Sequence, residues 1–487
     1  MTVVAVVAGL VLAASPEPVS PWAQMAEQDV RAMHRIILES HPGPVDTANP
    51  GFQQWLEGGY REALARAKKA RTYGAYAATL RRYAAGFRDG HLQLSLEVQP
   101  ANVRWPGFAV AQRQGKYVVA SMEEGSGLPP LGAELVGCDG VPAGQLFERS
   151  VWPLSTGPDV EGRRQRAAPA LLVDEGDPEV KPPAACEVRV GAEARTVELR
   201  YRDIAPHGLT ERTKELAFGP RPKFGVRAFG EGGLWVSIPS FHGPQSEETL
   251  AGLRELVEAA PKWREAPVMV FDVRGNGGGS STWGDNILRG LYGEALFKAA
   301  VEETPEEGAQ YVDWRVSKDN VAHLSLLVDV VARQQGQDAP VVDYLRRMEV
   351  GMKEALKKRQ AFFRLPDEGP KEVKRAEALP ASPVRGRVFL LTDGRCASAC
   401  LDFADSALAM PGVTHVGLPT SADSVYMEVR SQLLPSGAAK LGVPIKVYRN
   451  RPRGHNVPYV PKHRYDGDLG DTAALEAWML GLARGGA

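Results

Sequence analysis

The spacing of hydrophobic positions changes along the chain and predicts regions of different secondary structure. Between about Pro21 and Ala85, apolar residues recur at helical spacing, as in "AEQDVRAMHRIILESH", which stops before Pro42. From about Asn102 to Ile204, short apolar runs such as "GFAVAQ", "KYVVASM" and "CEVRVG" are separated by turns that contain Gly or Pro. We therefore expect an N-terminal helical region followed by a small β-rich module.

From about Lys223 the pattern alternates between strands and helices. "LWVSIPSF", "APVMVFDV", "RVFLLTD" and "THVGLP" predict strands, and "APVMVFDV" is apolar enough to be buried on both faces. "SEETLAGLRELVEAA" predicts a helix with Ser246 as its N-cap. The alternation predicts a mixed α/β fold with some parallel strand pairing. The charged, mostly helical segment between Lys298 and about Lys374 is expected to be a lid or an inserted helical arm.

The first residues differ from the rest of the chain. "MTVVAVVAGLVLAA" is an apolar run that ends in small residues and predicts a signal peptide cut near Ala14 or Ser15, although no positive charge precedes it. A buried first strand is the alternative. Domain boundaries are expected at 1–20 for the signal peptide, 21–101 for the helical region, 102–204 for the β module and 205–487 for the α/β core.

Export would place the four cysteines in an oxidising compartment, either secreted or periplasmic. Cys138 with Cys186, and Cys396 with Cys400, could then form disulfides, although Cys396 and Cys400 could equally be reduced.

The composition of the chain argues against several classes of function. The chain has 58 Lys and Arg against 59 Asp and Glu, a formal net charge of −1, so nothing favours a nucleic-acid partner. No apolar run reaches the roughly 18 residues that a membrane helix needs. The absence of CxxC and HExxH patterns argues against a zinc site, and no cofactor or metal is expected.

Three short motifs carry candidate chemistry. In "FDVRGNGGGSS" a buried strand leads into a glycine-rich loop, which could be an oxyanion hole or a plain tight turn. Ser398 stands between Ala397 and Ala399 at a strand-to-helix turn. Serine there is most often a helix cap, but the N–H of Ala399 would also point with the helix N-terminus, where negative charge is stabilised. His91 in "RDGHL" precedes an alternating strand and could be structural or catalytic.

The chain resembles the tail-specific, or C-terminal processing, serine peptidases, including their tricorn-like branch, in the order of four features. These are the His91 loop, the β module, "DVRGNGGG" and the turn in which Ser398 stands between two alanines. The resemblance covers roughly His91 to Asp471. It implies a ClpP/crotonase-like α/β catalytic core and a peptide or protein substrate. The β module occupies the place of a PDZ domain in that family, and "ELVGCDGVPAGQL" is similar to part of one.

One departure from the family pattern concerns the catalytic base. These peptidases usually use a Ser–Lys dyad, but in "VGLPTSADSVYMEV" Asp423 stands where the lysine would be, and a carboxylate cannot replace it as base in the same way. The tricorn-like branch uses a histidine supported by a late glutamate. The resemblance therefore implies Ser398 as nucleophile, His91 as base and Glu428, preferred over Asp423, as the support.

The oxyanion hole would then consist of Gly278 and Ala399, with Gly277 or Gly279 as alternatives to Gly278. The missing lysine also leaves open a catalytically inactive ligand- or peptide-binding protein on the same scaffold. An esterase for small substrates is a third possibility. The basic and aromatic stretch Arg449–Asp468 is interpreted as a solvated loop, with a surface for the substrate end as the alternative.

Overall fold

The computed structural model has a mixed α/β architecture, as the sequence pattern predicts. It describes residues 20–125, 127–242, 246–302, 310–366 and 378–485. The predicted signal peptide therefore lies outside the described residues, except for Ser20.

Three helices open the described chain: α1 (Pro21–Ser40), α2 (Pro50–Ala67) and α3 (Tyr73–Ala85). The side chains of Asn49 and Thr72 cap α2 and α3 by accepting hydrogen bonds from backbone N–H groups of the first turn. The apolar faces of these helices share one hydrophobic core with residues of a strand near the other end of the chain, including Leu441 and Val443. The N-terminal helices therefore support the C-terminal part of the fold.

The β-rich module follows two short strands, and a further short strand and helix close it. In chain order these elements are β1 (Gln93–Leu96), β2 (Val103–Trp105), β3 (Phe108–Arg113), β4 (Lys116–Met122), β5 (Glu134–Cys138), β6 (Val141–Pro142), α4 (Ala143–Ser150), α5 (Glu161–Ala167), β7 (Ala185–Val190), β8 (Glu193–Glu198), β9 (Arg202–Ile204) and α6 (Pro206–Thr213). An antiparallel sheet runs in the order β3-β4-β5-β7-β8, with β6 on β5, and β2 pairs with β9. A Cys138–Cys186 disulfide links β5 to β7.

The rest of the chain builds two sheets and the helices that cover them. Its elements are β10 (Gly225–Phe229), β11 (Gly233–Ser237), α7 (Glu247–Ala259), β12 (Val268–Asp272), α8 (Ser281–Tyr292), α9 (Glu294–Phe297), β13 (Tyr311–Arg315), α10 (Lys318–Gln335), α11 (Pro340–Lys357), β14 (Phe362–Phe363), β15 (Arg387–Thr392), α12 (Ala399–Ala409), β16 (Val413–Gly417), β17 (Tyr426–Leu433), β18 (Ala439–Arg449), β19 (His463–Arg464) and α13 (Thr472–Ala483).

The central sheet has the strand order β10-β11-β12-β15-β16-β19 and is parallel from β11 onward. Strand β12 is buried almost throughout, as its continuous apolar run predicts. Because β12 and β15 are parallel neighbours, with Asp272 opposite Leu391, both strands end at the same sheet edge. The glycine loop after β12 and the Ser398 turn after β15 are therefore delivered to one place.

A second sheet is organised around the long strand β18. On it pair β1, which follows the His91 loop, β13 and β17. Helices α10 and α11 pack against the same strand and share a core that includes Leu324, Met348 and Ile445. The predicted helical segment is thus an inserted hairpin fixed on β18 over its described residues. Among those residues, no helix combines the length and apolarity needed to cross a membrane.

Candidate active site

Ser398 occupies a strained backbone position between β15 and α12. Its φ of 55° and ψ of −127° lie in a region that non-glycine residues rarely adopt, at a cost on the order of 1–3 kcal/mol. The residue stands at the N-cap of α12, yet its side chain makes no capping hydrogen bond. The helix-cap alternative therefore does not account for this serine, and the turn presents a hydroxyl that the helix does not use.

Three interactions hold this turn. A disulfide joins Cys396 to Cys400 across Ser398. The carbonyl of Cys396 accepts a hydrogen bond of 3.0 Å from the N–H of Ser421, and the N–H of Ala397 donates to the carbonyl of Asn276 at 3.4 Å. A strained conformation persists only where its surroundings fix it, and these contacts supply that constraint.

The polar residues of "DVRGN" shape the end of β12. Asp272 is fully buried and receives both Nε and a terminal nitrogen of Arg274, at 2.9 and 2.7 Å, together with Nε1 of Trp235 at 3.0 Å. The guanidinium also donates to the carbonyl of Leu469 at 2.7 Å. Because every charge in this pair is compensated, Asp272 and Arg274 have a structural role.

Asn276 connects the glycine loop to its surroundings. Its Nδ2 donates to the carbonyl of Ile238 and its Oδ1 accepts from the N–H of Gly278, both at 2.9 Å. Its own carbonyl accepts the N–H of Ala397 from the serine turn. Through its side chain and its backbone carbonyl, the buried Asn276 therefore fixes the glycine loop, the end of strand β11 and the serine turn relative to one another.

Gly278 lies directly against Ser398. Its φ is +107°, and a Cβ built there would be 2.8 Å from both Cβ of Ser398 and the carbonyl oxygen of Ala397. Only glycine fits this position. The N–H of Gly278, the predicted oxyanion donor, is donated to Oδ1 of Asn276 in this structure.

Other backbone donors at this edge are free. The N–H groups of Gly277 and Gly279 have no hydrogen-bond partner among the described residues. The N–H of Ala399 also has no partner among those residues. Ala399 is the first residue of α12, and the first N–H groups of a helix have no carbonyl of the same helix one turn earlier. The predicted donor Ala399 is thus available, and the second donor falls to a neighbour of Gly278.

The His91 loop is organised by the buried carboxylate of Asp89. Oδ1 of Asp89 accepts the N–H of His91 at 2.9 Å and the hydroxyl of Ser424 at 2.8 Å. Oδ2 lies 3.0 Å from Nε2 of the buried His41, which is the donor because its Nδ1 accepts the N–H of Gly43. Burial alone would raise the pKa of Asp89, but the hydrogen bond and charge of His41 hold that pKa below its usual value. Burial lowers the pKa of His41 against the opposing pull of the Asp89 carboxylate.

The imidazole of His91 and the amide of Asn456 each carry a buried atom without a partner. Nδ1 of His91 and Oδ1 of Asn456 are both buried and make no hydrogen bond within the described part of the chain. Nδ2 of Asn456 donates to the carbonyl of Arg88, in the His91 loop, at 3.0 Å. Its N–H donates to the carbonyl of Asp423 at 2.8 Å. Asn456 therefore brings an unused acceptor to the loop that carries His91.

The sequence gives little indication of Asn456. The resemblance implies a carboxylate as support, and Asn456 is an amide inside the stretch 449–468, which was interpreted as solvated. The structure corrects that interpretation at Arg453, which is buried and pairs with Asp402, Asp405 and Asp423.

Both carboxylates considered as supports are paired with cations. Glu428, the predicted support of His91, is exposed on β17 and pairs with Nζ of Lys446 on the neighbouring strand at 3.3 Å. Asp423 is buried but its carboxylate is neutralised by Arg451 at 2.9 Å and Arg453 at 3.1 Å. The residue at the place of the family lysine thus anchors the loop that carries Asn456.

One short segment, residues 421–424, joins the motifs. Its first residue, Ser421, is bonded to Cys396, two residues before Ser398. Its last residue, Ser424, is bonded to Asp89, two residues before His91. With Gly278 against Ser398, the structure gathers the glycine loop, the serine turn and the His91 loop at one edge of the central sheet.

Comparisons with known proteins concern the fold and part of the sequence. No curated protein matches the sequence. Among solved structures, mature CPAF has a similar fold, with a TM-score of 0.63, 13% identity, and coverage of 96% of this chain and 99% of that chain. CPAF in complex with lactacystin gives a TM-score of 0.63 at 13% identity, with coverage of 96% and 100%.

A family model matches part of the amino-acid sequence. Residues 234–456 match the model of peptidase family S41, a range that begins in β11, includes the glycine loop and Ser398, and ends at Asn456. His91 precedes that range. Residues 234–456 are therefore similar in sequence to peptidase family S41, and the whole chain shares the fold of mature CPAF.

Proposed function

We propose that the protein is a serine endopeptidase in which Ser398 is the nucleophile and His91 the general base. The observation that carries the proposal is the strained Ser398 turn, whose hydroxyl does not cap α12 and which lies against the glycine loop. Strain maintained by a disulfide and two backbone hydrogen bonds is typical of a functional position.

In the proposed reaction, His91 accepts the proton of the Ser398 hydroxyl as Oγ attacks the peptide carbonyl. The N–H of Ala399 and the N–H of Gly277 or Gly279 stabilise the resulting oxyanion, helped by the N-terminus of α12. Protonated His91 then gives its proton to the leaving amine, which departs and leaves an acyl-enzyme. Water, deprotonated by His91, hydrolyses that ester and restores Ser398.

The support of His91 differs from the usual carboxylate. We infer that Oδ1 of Asn456 accepts the Nδ1–H of His91, which would satisfy both unpartnered atoms and fix the tautomer that leaves Nε2 free. An amide fixes orientation but adds no negative charge for the imidazolium. The buried Asp89, which interacts electrostatically with His91, supplies the nearby charge.

A fluorophosphonate probe tests the proposal directly. We expect it to label the wild-type protein but not Ser398→Ala. Ser406→Ala is the matched control, because Ser406 lies on the same helix and its hydroxyl is bonded to Asp285 instead. Cleavage of an internally quenched peptide with both ends blocked tests endopeptidase activity. A wild-type protein that neither reacts with the probe nor cleaves the peptide would support the binding-protein alternative.

The cellular location is a separate proposal. We propose export to a secreted or periplasmic location, supported by the apolar N-terminal run and by the two disulfides, which persist in oxidising compartments. Fractionation of cells that express the full chain, with sequencing of the mature N-terminus, tests it. Cytoplasmic protein with an intact N-terminus would reject it.

A further inference from the structure

A cleft beside the glycine loop has a mostly cationic wall. It has a volume of 710 Å³, and its charged lining residues are Arg166, Lys214, Glu215, Arg221 and Arg395. Gly277 forms part of the same wall, and a Cβ built on Gly277 would meet open space. The cleft therefore opens onto the loop that faces the nucleophile.

Arg395 is held in a fixed position relative to that loop. Its guanidinium donates to the carbonyls of Lys214 and Gly219, both at 3.0 Å, and its side chain is buried. The buried carboxylate of Asp393 accepts the N–H of Arg395 at 2.8 Å and the N–H of Gly275 at 3.0 Å. One carboxylate thus ties this cation and the glycine loop together.

The side chains of the other two arginines are not paired with an anion. Those of Arg166 and Arg221 make no hydrogen bond or ion pair within the described ranges. Burial, together with the positive charges of Arg163, Arg395 and Arg221, lowers the pKa of Arg166 to about 10 against the pull of Asp393. Like charges gathered in this way repel one another, and an anion placed among them would offset the repulsion.

The position of the cleft relates it to the bond that is cleaved. Gly277 adjoins Gly278, which lies against Ser398, and Arg395 precedes Ser398 by three residues in the same turn. An extended peptide advances about 3.3–3.6 Å per residue, so a substrate with its carbonyl at Ser398 would present adjacent residues to the cleft.

We propose that the cleft binds the carboxylate of an Asp or Glu side chain of the peptide substrate, close to the cleaved bond. Arginine guanidinium groups match carboxylates in geometry and charge, which distinguishes this ligand from a neutral side chain. The inference rests on the proposed function, because it names the substrate class of the same site.

Three peptides that otherwise share one sequence distinguish a side-chain carboxylate from that of the chain terminus. The first has Glu near the cleaved bond and an amidated C-terminus, the second has Gln and the same amide, and the third has Gln and a free C-terminal carboxylate. Their affinities for Ser398→Ala are measured by fluorescence anisotropy, and their kcat/KM values with the wild-type protein. We expect the Glu peptide to exceed both Gln peptides by about tenfold, as for a charge-assisted hydrogen bond.

Arginine variants assign that preference to the cleft. Arg166→Gln and Arg221→Gln should each reduce it severalfold, whereas Arg254→Gln, an exposed cation on α7 outside the cleft, should retain it. A Glu peptide that binds no better than the amidated Gln peptide, a preference for the free C-terminus alone, or a preference for Glu that survives both cleft variants would overturn the inference. A preference in binding without cleavage or probe labelling would retain the subsite and reject the peptidase.

Discussion

The hydroxyl of Ser424 donates a hydrogen bond of 2.8 Å to Oδ1 of Asp89, and thereby links residues that are 335 positions apart. Asp89 holds the backbone of His91, whereas Ser424 ends the segment whose other end, Ser421, holds the turn of Ser398. The proposed base and nucleophile are therefore positioned through one buried carboxylate and one four-residue segment. Neither His91 nor Ser398 has to contact the other for the two loops to be aligned.

Removal of the Ser424 hydroxyl should disturb this alignment. Ser424→Ala leaves Asp89 with His41 and the His91 N–H but without one hydrogen bond to a buried charge, which is worth about 1.5–3 kcal/mol. We expect turnover to fall by about tenfold or more with a smaller change in KM, measured by steady-state kinetics beside thermal melts.

Ser325→Ala is the matched control for this change, since Ser325 also donates to a carboxylate, that of Glu349, in the α10–α11 hairpin. It should lower the melting temperature without an effect on turnover. Similar kinetics in both variants would argue against the coupling.

The glycine loop gives a second prediction. Gly278→Ala forces a Cβ to within 2.8 Å of Ser398 Cβ and the Ala397 carbonyl at a φ of +107°, so the turn itself must move. We expect turnover to fall by about 100-fold, in the range known for loss of one oxyanion donor, with a much smaller effect on KM.

Gly275→Ala separates the chemistry from the strain of the backbone. Its φ is +81°, but the Cβ would meet the side chain of Arg221, with Cγ at 2.6 Å, rather than the Ser398 turn. This variant should lose stability with little loss of turnover. If the kinetic losses of both variants follow their melting temperatures, the loop is only a structural turn.

The sequence pattern predicts the parts of the site that depend on local structure. Two of these parts can each be recognised within about ten residues. They are the continuous apolar strand followed by glycines, and the serine between small residues at a strand-to-helix turn. Parallel pairing of β12 and β15 then brings them together. The cysteine pairs are predicted instead from the expected export, and both are disulfides in the structure.

The support of His91 could not be predicted in this way. Asn456 reaches the His91 loop only because Asp423, Arg451 and Arg453 bury an ion-pair cluster behind it, and such a cluster has no local sequence pattern. The pattern "VYMEV" predicts a strand and so favours Glu428 as the support of His91. However, the alternation of side chains along a strand does not show which face of that strand lies towards a distant loop. A φ of +59° at Glu428 interrupts the strand at that residue.

Acid stability provides a third prediction, at His415. Nε2 of this buried imidazole lies at hydrogen-bond distance, 2.8 Å, from Oγ1 of Thr392, and the Thr392 hydroxyl donates to the carbonyl of Leu418. Burial lowers the pKa of His415 to about 4. The folded state therefore excludes a proton that the unfolded chain binds below its ordinary pKa of about 6.5. The contribution of His415 to the free energy of unfolding is fully present above pH 6.5. It is lost as the pH falls towards 4, by up to about 3 kcal/mol.

The measurement compares the free energy of unfolding of the wild type with that of His415→Gln between pH 7.5 and pH 4, where glutamine can retain the hydrogen bond to Thr392. The wild type should lose more stability than the variant on acidification. A difference between the two proteins that stays constant with pH would show that His415 does not titrate in this window.

The fourth prediction concerns Asn456 and separates positioning of His91 from anchoring of its loop. Asn456→Ala removes both the acceptor for His91 Nδ1 and the hydrogen bond to the Arg88 carbonyl, so turnover should fall by about 100-fold or more. Asn456→Asp restores the acceptor and adds a negative charge, although it loses the donor to Arg88. It should retain more activity than Asn456→Ala.

The pH profile is the decisive measurement for these variants. A carboxylate behind the imidazole stabilises its protonated form, so the acid limb of turnover in Asn456→Asp should move to higher pH than in the wild type. Asn320→Ala is the control, because Asn320 is also a buried amide that donates to backbone carbonyls, those of Ser40 and Arg315, on α10. It should lower stability and leave the acid limb in place. An unshifted limb in Asn456→Asp, with stability lost as in Asn320→Ala, would restrict Asn456 to anchoring the loop and leave His91 without a side-chain support.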